Sequence, residues 1–373
     1  MSKIVDVEVF TPRVQQQRVM ANASMTRSSG PGMSGMTVVR VTTDDGIVGF
    51  GTGFGAPDVI IRNIKPAIIG KDPMFYEDNW QSMYRTISIA NRKGYGLLAV
   101  SSVDIALWDI RGKILGMPIH KMMGGSERRF PVYYTCGWVS YSLEELVEEA
   151  KLRVSQGFKG LKICIGIHDG LKLNIREDIR RLEAVRKAVG DDIEIFTDAN
   201  AVWDAALGIQ FAKMAEDANL NLAWLEEPVC ADDVPGLVKV RVHTSIPIAA
   251  GGSEYLRYGI RDYLISNAID IVQLDVCKSG GFTEYQKISA YAQAWNKRVA
   301  PHAWEFLSAH ILSNVYSPNR GWCEKVALQD AIFEKTMIDY NTSAGGFYEI
   351  PDRPGIGYDI DWDFVEKNDV LNA

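Results

Sequence analysis

Hydrophobic and polar positions along the chain follow two different rhythms. The first third alternates over 4–10 and again over 36–42, in stretches rich in β-branched residues, which predicts two strands. Asp44-Asp45-Gly46 is a turn, and 47–51 reads as the return strand. A helical stretch follows over 100–115. Val103, Ala106, Leu107 and Ile110 fall on one face, and Gly116-Met117-Pro118 ends it. From Phe130 onward the rhythm changes. Short apolar runs at 132–135, 160–165, 193–197, 222–225, 246–250, 271–274 and 298–300 are separated by helical segments, with an eighth run near Gly321-Trp322-Cys323. The first of these helices opens on a capping box, Ser142-Leu143-Glu144-Glu145, and continues its apolar face through Leu146, Val147, Ala150 and Val154. Repeated strand–helix units predict a parallel sheet, and seven or eight of them in about 200 residues predict a closed α/β barrel. No GxGxxG follows the first of these strands. The expected organisation is an α+β unit over 1–128, a barrel over 129–328, and a segment over 329–373 that lacks the rhythm and packs back on the N-terminal unit.

Composition narrows the class. The chain has 373 residues, 47% hydrophobic and 23% charged, which suits a globular protein of more than one domain. A net charge of −7 leaves no electrostatic footprint for nucleic acid or an anionic membrane. No apolar run approaches the ~18–20 residues of a bilayer span, and the N-terminus lacks a signal-peptide core. Five scattered cysteines without a CxxC read as free thiols in a reducing, cytoplasmic setting. The segment 20–34, rich in Met, Ser and Gly, suits a loop that covers a site.

In such a barrel, chemistry gathers where the strands end. The second run ends in Lys162-Ile163-Cys164, the third in Asp198-Ala199-Asn200, and the fourth in Glu226-Glu227-Pro228. The fifth leads to Gly251-Gly252-Ser253-Glu254, the sixth to Asp275 with Lys278 close after, the seventh to His302 and the eighth to Glu324. Taken singly, each is more often a turn, a cap, a structural residue or a surface charge than part of a site. Taken together, carboxylates on consecutive strand ends are costly unless a cation sits among them, and hard oxygen donors at this density suit Mg²⁺.

These residues carry a resemblance. Ser102-Val103-Asp104-Ile105-Ala106-Leu107-Trp108-Asp109-Ile110 with Gly112-Lys113, then Gly157-Phe158 leading into the Lys162 strand, resemble the mandelate racemase/muconate lactonizing enzyme group of the enolase superfamily. The resemblance runs over nearly the whole chain. It implies a modified TIM barrel, (β/α)7β, with an α+β capping domain, and a Mg²⁺-dependent removal of the proton α to a carboxylate. Asp198 and Glu226 match two metal ligands. Asp275 and His302, 27 positions apart, match a His–Asp dyad, and Glu324 matches a glutamate that bonds the substrate carboxylate. Asn200, Lys278 and Trp304 are expected to line the substrate pocket, and dimers to octamers are expected of such a family.

Two positions depart from the family pattern. Cys164 stands where the second lysine of Lys-x-Lys is expected, on the same strand face as Lys162. A thiol replaces an ammonium poorly, which leaves His302 to move protons alone, with Lys162 contacting substrate or balancing charge. Gly252 stands where a third metal carboxylate is expected, and Glu254, two residues on, is the expected substitute if the strand continues. The leading expectation is a hydro-lyase that dehydrates an acid sugar, an aldonate or aldarate, to a 2-keto-3-deoxy acid. A racemase, epimerase or cycloisomerase is the second, and a binder that has lost its metal is the third. Trp138, Tyr141, Trp203 and Glu305 are further candidates for the pocket wall.

Overall fold

The computed structural model describes residues 2–24, 32–168, 172–340 and 343–371. Strands β1 (Ile4–Phe10), β2 (Thr37–Thr43) and β3 (Val48–Gly53) form one antiparallel sheet in that order. Helix α1 (Tyr76–Ile87) buries Trp80 and Met83, and α2 (Tyr95–Leu115) is buried over most of its length because it has partners on two sides. One is β3, which approaches so closely that a Cβ on Gly51 would lie 1.9 Å from Ser102 O. The other is the barrel. Gly116, at φ 64°, closes α2 in the left-handed conformation that glycine adopts without strain. A short hairpin pairs Arg13–Gln15 with Met33–Gly35.

Eight parallel strands follow: β4 (Arg129–Gly137), β5 (Gly160–Cys164), β6 (Glu194–Asp198), β7 (Leu222–Glu226), β8 (Ile248–Ala250), β9 (Ile271–Val272), β10 (Arg298–Val299) and β11 (Cys323–Val326). Neighbours in sequence are neighbours in space, and β11 pairs with β4. A parallel bridge between Val299 and Arg320, with Gly321 N donating to Val299 O at 2.8 Å, joins the remaining edges. Seven helices separate the strands, which makes the expected (β/α)7β barrel of an α/β protein. The expected capping box is present: Ser142 Oγ accepts from Glu145 N, and the Glu145 side chain accepts from Ser142 N.

The barrel interior is built in layers, as the period of two dictates. Tyr133, Phe196, Trp224, Ala249, Ile271 and Ala300 form one apolar layer. Gly160 completes it by having no side chain: a Cβ there would meet Phe196 at 2.8 Å and Tyr133 at 2.9 Å. Two residues further along the same strands come Thr135, Lys162, Asp198, Glu226, Gln273, His302 and Glu324. The polar layer therefore rests on a packed floor.

The two units are joined through α2 and α3 (Gly281–Ala294). Asp104 accepts from Thr283 N at 2.9 Å and Thr283 Oγ1 at 2.6 Å, and Trp108 Nε1 donates to Thr283 Oγ1 at 2.8 Å. Residues after 329 touch both units. Thr11 N donates to Asp369 Oδ1 at 2.7 Å, Arg40 pairs with Glu366 at 2.8 Å, and Phe347–Glu349 adds an antiparallel strand to the start of β4. No helix among the described residues is long and apolar enough to cross a membrane. All five cysteines are free thiols.

Candidate active site

A cavity of about 400 Å³ lies over the polar layer, at the C-terminal ends of the barrel strands. Its far wall comes partly from the N-terminal unit, through Asn22, Ser24, Met33–Met36 and Phe54. Residues 25–31 of the expected covering loop lie outside the described residues. Of the expected residues, Lys162, Cys164, Asp198, Asn200, Glu226, Lys278, His302, Trp304 and Glu324 all line this cavity, together with Trp138.

His302 lies just past β10, and Asp275 just past β9. The Asp275 carboxylate is fully buried and accepts from Cys277 N at 2.7 Å, Trp304 Nε1 at 3.2 Å and His302 Nδ1 at 3.0 Å. An ionised carboxylate can only accept, so Nδ1 carries the imidazole proton and Nε2 keeps its lone pair. Nε2 lies 4.0 Å from Glu324 Oε2. Burial alone would lower the His302 pKa. Glu324 and the hydrogen bond to Asp275 outweigh it and bring the net shift upward. Ala303 and Trp304 both adopt positive φ, near 53° and 52°, a strained turn that aims Ala303 N at Glu324 Oε2, 2.7 Å away.

The carboxylates gather around one ammonium. Lys162 Nζ is 2.7 Å from Glu324 Oε1, 2.9 Å from Glu226 Oε1 and 3.3 Å from Asp198 Oδ2. One positive charge cannot satisfy three buried negative ones. Burial and then Asp198 push the Glu226 carboxyl up to about 8. Burial also raises Asp198. Glu324 goes the other way, to about 2, because Lys162 and His302 outweigh its burial. The Lys162 pKa is driven well up by Glu226 and Glu324 against its own desolvation, so it remains an ammonium. Burial, reinforced by Asp198, likewise raises the Cys164 thiol well above its usual value, so it faces the cavity uncharged.

Glu254 is a correction. Its carboxylate does not enter the cavity; it pairs with Lys93 Nζ at 2.8 Å and accepts from Tyr255 N at 2.7 Å. The expectation assumed a continuing strand, but β8 ends at Ala250, Gly251 has φ 132°, and a turn follows in which Glu254 N donates to Gly251 O. Three expected wall residues also stand elsewhere. Glu305 pairs with Lys325 at 3.0 Å in the core, Trp203 packs on Phe211, and Tyr141 borders a different surface depression. The residues missed are Glu227, Ser253, Thr135 and Phe54, all on the cavity wall. Thr135 follows from the same period-two count as Lys162. Glu227 had a signal in being adjacent to Glu226.

The donor set fits a hard divalent cation. Asp198, Glu226 and Glu227 present carboxylates to one cavity, and the buried Asn200 Oδ1 has no hydrogen-bond partner. Among the described residues no three acidic, histidine or cysteine side chains stand at chelating positions. In this structure the Lys162 ammonium takes the point on which Asp198, Glu226 and Glu324 converge.

Comparison with known proteins agrees with this architecture. Residues 4–124 match the model of the mandelate racemase/muconate lactonizing enzyme N-terminal domain, and 145–364 match the enolase C-terminal domain-like model. The chain is 33% identical to arabinonate dehydratase of Saccharolobus solfataricus over 87% of its own length and 88% of the relative's. It is 31% identical to D-galactarolactone cycloisomerase of Agrobacterium fabrum, over 88% and 90% respectively. A solved racemase from Streptomyces coelicolor with bound magnesium superposes with a TM-score of 0.88 at 26% identity, over 98% of this chain and 100% of that one.

Proposed function

Because the chain belongs to the enolase superfamily, within its mandelate racemase/muconate lactonizing enzyme group, we propose that it is a Mg²⁺-assisted hydro-lyase acting on an acid sugar. The substrate is an aldonate or aldarate and the product a 2-keto-3-deoxy acid. Asp198 and Glu226 hold the metal. When bound, it supplies positive charge to the substrate carboxylate, where negative charge collects as the α-proton leaves.

The observation that carries this reading is the single proton-transfer pair facing the cavity. His302 Nε2 is free, Asp275 orients the ring, and the opposing lysine position holds the neutral Cys164. Lys162, bound to three carboxylates as an ammonium, is no base. His302 takes the α-proton, and the C–H electron pair becomes the C=C bond. The β-carbon–oxygen bond breaks, and the departing hydroxyl recovers the proton from His302 and leaves as water. The enol then tautomerises to the 2-keto acid. One imidazole thus serves as base and then as acid. Racemisation or cycloisomerisation, the second reading, uses the same first step, and the cycloisomerase relative supports it.

The test is a panel of aldonic and aldaric acids, assayed for 2-keto acid with Mg²⁺ and again with chelator. A Mg²⁺-dependent product that falls by about 10²–10⁴ in His302→Asn supports dehydration. Exchange of the α-proton for solvent deuterium without water loss shifts the assignment to isomerisation. Neither product nor exchange across the panel sinks both readings.

A further inference from the structure

The missing carboxylate at position 252 leaves a space, and that space has an occupant. A Cβ built on Gly252 would lie 3.1 Å from His302 Cδ2 and 3.6 Å from Glu227 Oε1. A side chain there would project into the cavity, against the Glu227 carboxylate. Strand alternation by itself would send Glu227 away from Glu226 and out of the barrel. The backbone prevents this: Glu227 sits at φ 37°, in the left-handed region that a non-glycine residue occupies only under strain. The turn leaves the side chain buried on the cavity wall. Ser253 N and Ser253 Oγ each donate to the Glu227 carboxylate at 2.7 Å, and Gly251 N approaches it at 3.4 Å. A carboxylate accepts about four hydrogen bonds, and these three donors leave about one acceptor position on a residue that lines the cavity. Metal-binding carboxylates are commonly steadied by such donors.

We infer that Glu227 is the third carboxylate ligand of the cation site, standing in for the side chain absent at Gly252 and oriented by Ser253. This rests on the metal-assisted reading above. The exchange is also sterically consistent: a larger residue at 252 would crowd both His302 and the carboxylate that replaces it.

The experiment is calorimetric titration of Mg²⁺ into the full chain, without substrate, so the readout is independent of turnover. Glu227→Gln is expected to weaken Mg²⁺ binding by roughly 10–100-fold, and Glu254→Gln to leave it unchanged. Adding Gly252→Glu to Glu227→Ala, which empties the space that a glutamine would still fill, is expected to recover most of the affinity lost in Glu227→Ala alone. Ser253→Ala, which keeps the Ser253 backbone contact, is expected to weaken binding in the same direction, and it serves if Glu227→Gln fails to fold. Wild-type affinity in Glu227→Gln, with loss in Asp198→Asn, overturns the Glu227 assignment and leaves the metal-assisted reading standing. No Mg²⁺ binding by the wild-type chain overturns both.

Discussion

Lys162 is the residue on which the charge balance of the site turns. Its ammonium is 1% exposed and bonded to carboxylates from three strands. Removing one partner of a buried ionic group leaves the rest uncompensated, so Lys162→Met should cost about 3–5 kcal/mol of metal-free stability. Urea unfolding at pH 7 would measure it, and a cost below about 1 kcal/mol would mean that the cluster is already neutral or wet. His302 gives a second expectation at this scale. It must be unprotonated to accept the α-proton, and its net shift is upward. The acid limb of kcat/KM should therefore lie above the ordinary imidazole value of about 6.5. Asp275→Asn should lower both the limb and the rate, because the ring loses its anionic partner and its fixed tautomer. A limb unmoved in that variant would dissociate Asp275 from the proton transfer.

At the scale of elements, short strands and tight exits put the chemistry in place. Strands β8, β9 and β10 have only two or three residues each, and the chain after them leaves ideal geometry to present Ser253, Asp275 and His302. Elsewhere the elements are fixed by buried polar contacts with no role in the cavity. In α4 (Glu305–Ser313), His310 is buried; its Nδ1 accepts from His120 N at 3.1 Å, and its Nε2 meets Ile356 O at 3.2 Å. Burial, then His120, depress its pKa to about 3. The unfolded chain binds this proton near pH 6.5 and the folded chain does not. The stability concerned is present above pH 6.5 and is lost as pH falls toward 3, by about 2 kcal/mol at pH 5. Comparing urea midpoints at pH 7 and pH 5, His310→Gln should lose less stability on acidification than wild type. An equal loss would assign the acid sensitivity to other groups.

At the scale of the whole molecule, the cavity exists only where barrel and N-terminal unit meet. The barrel supplies the charged hemisphere. Phe54 and the Met33–Met36 stretch supply much of the opposite wall, and Phe54 packs edge-on against Trp304 with centroids 5.3 Å apart. A ligand bound there stabilises the whole folded chain by mass action. Mg²⁺ at 100 times its Kd should add about 2.7 kcal/mol, seen as a rise in Tm that chelator reverses. A Tm indifferent to millimolar Mg²⁺ and to chelator would speak against a cation site at these carboxylates.

The sequence by itself determined the barrel and which strand ends bring charged residues to the cavity. Hydrophobic runs at regular intervals demand a parallel sheet, and a period of two carries Lys162, Asp198, Glu226 and Glu324 to one face as soon as the apolar layer beneath them is recognised. Asp275 and His302 were legible through family pattern and spacing. That logic failed where strands end. Counting by twos from Gly252 assigned Glu254 to the cavity, and the structure turns it away to Lys93; Glu227, which no such count picked out, lines the cavity wall. Alternation holds only while the backbone stays extended. Gly251 at φ 132° and Glu227 at φ 37° break it, and such angles are set by how loops from different strands pack together. The gathering of three carboxylates about Lys162, and the far wall lent by Phe54, are likewise contacts between residues distant in sequence, and only the closed fold brings them together.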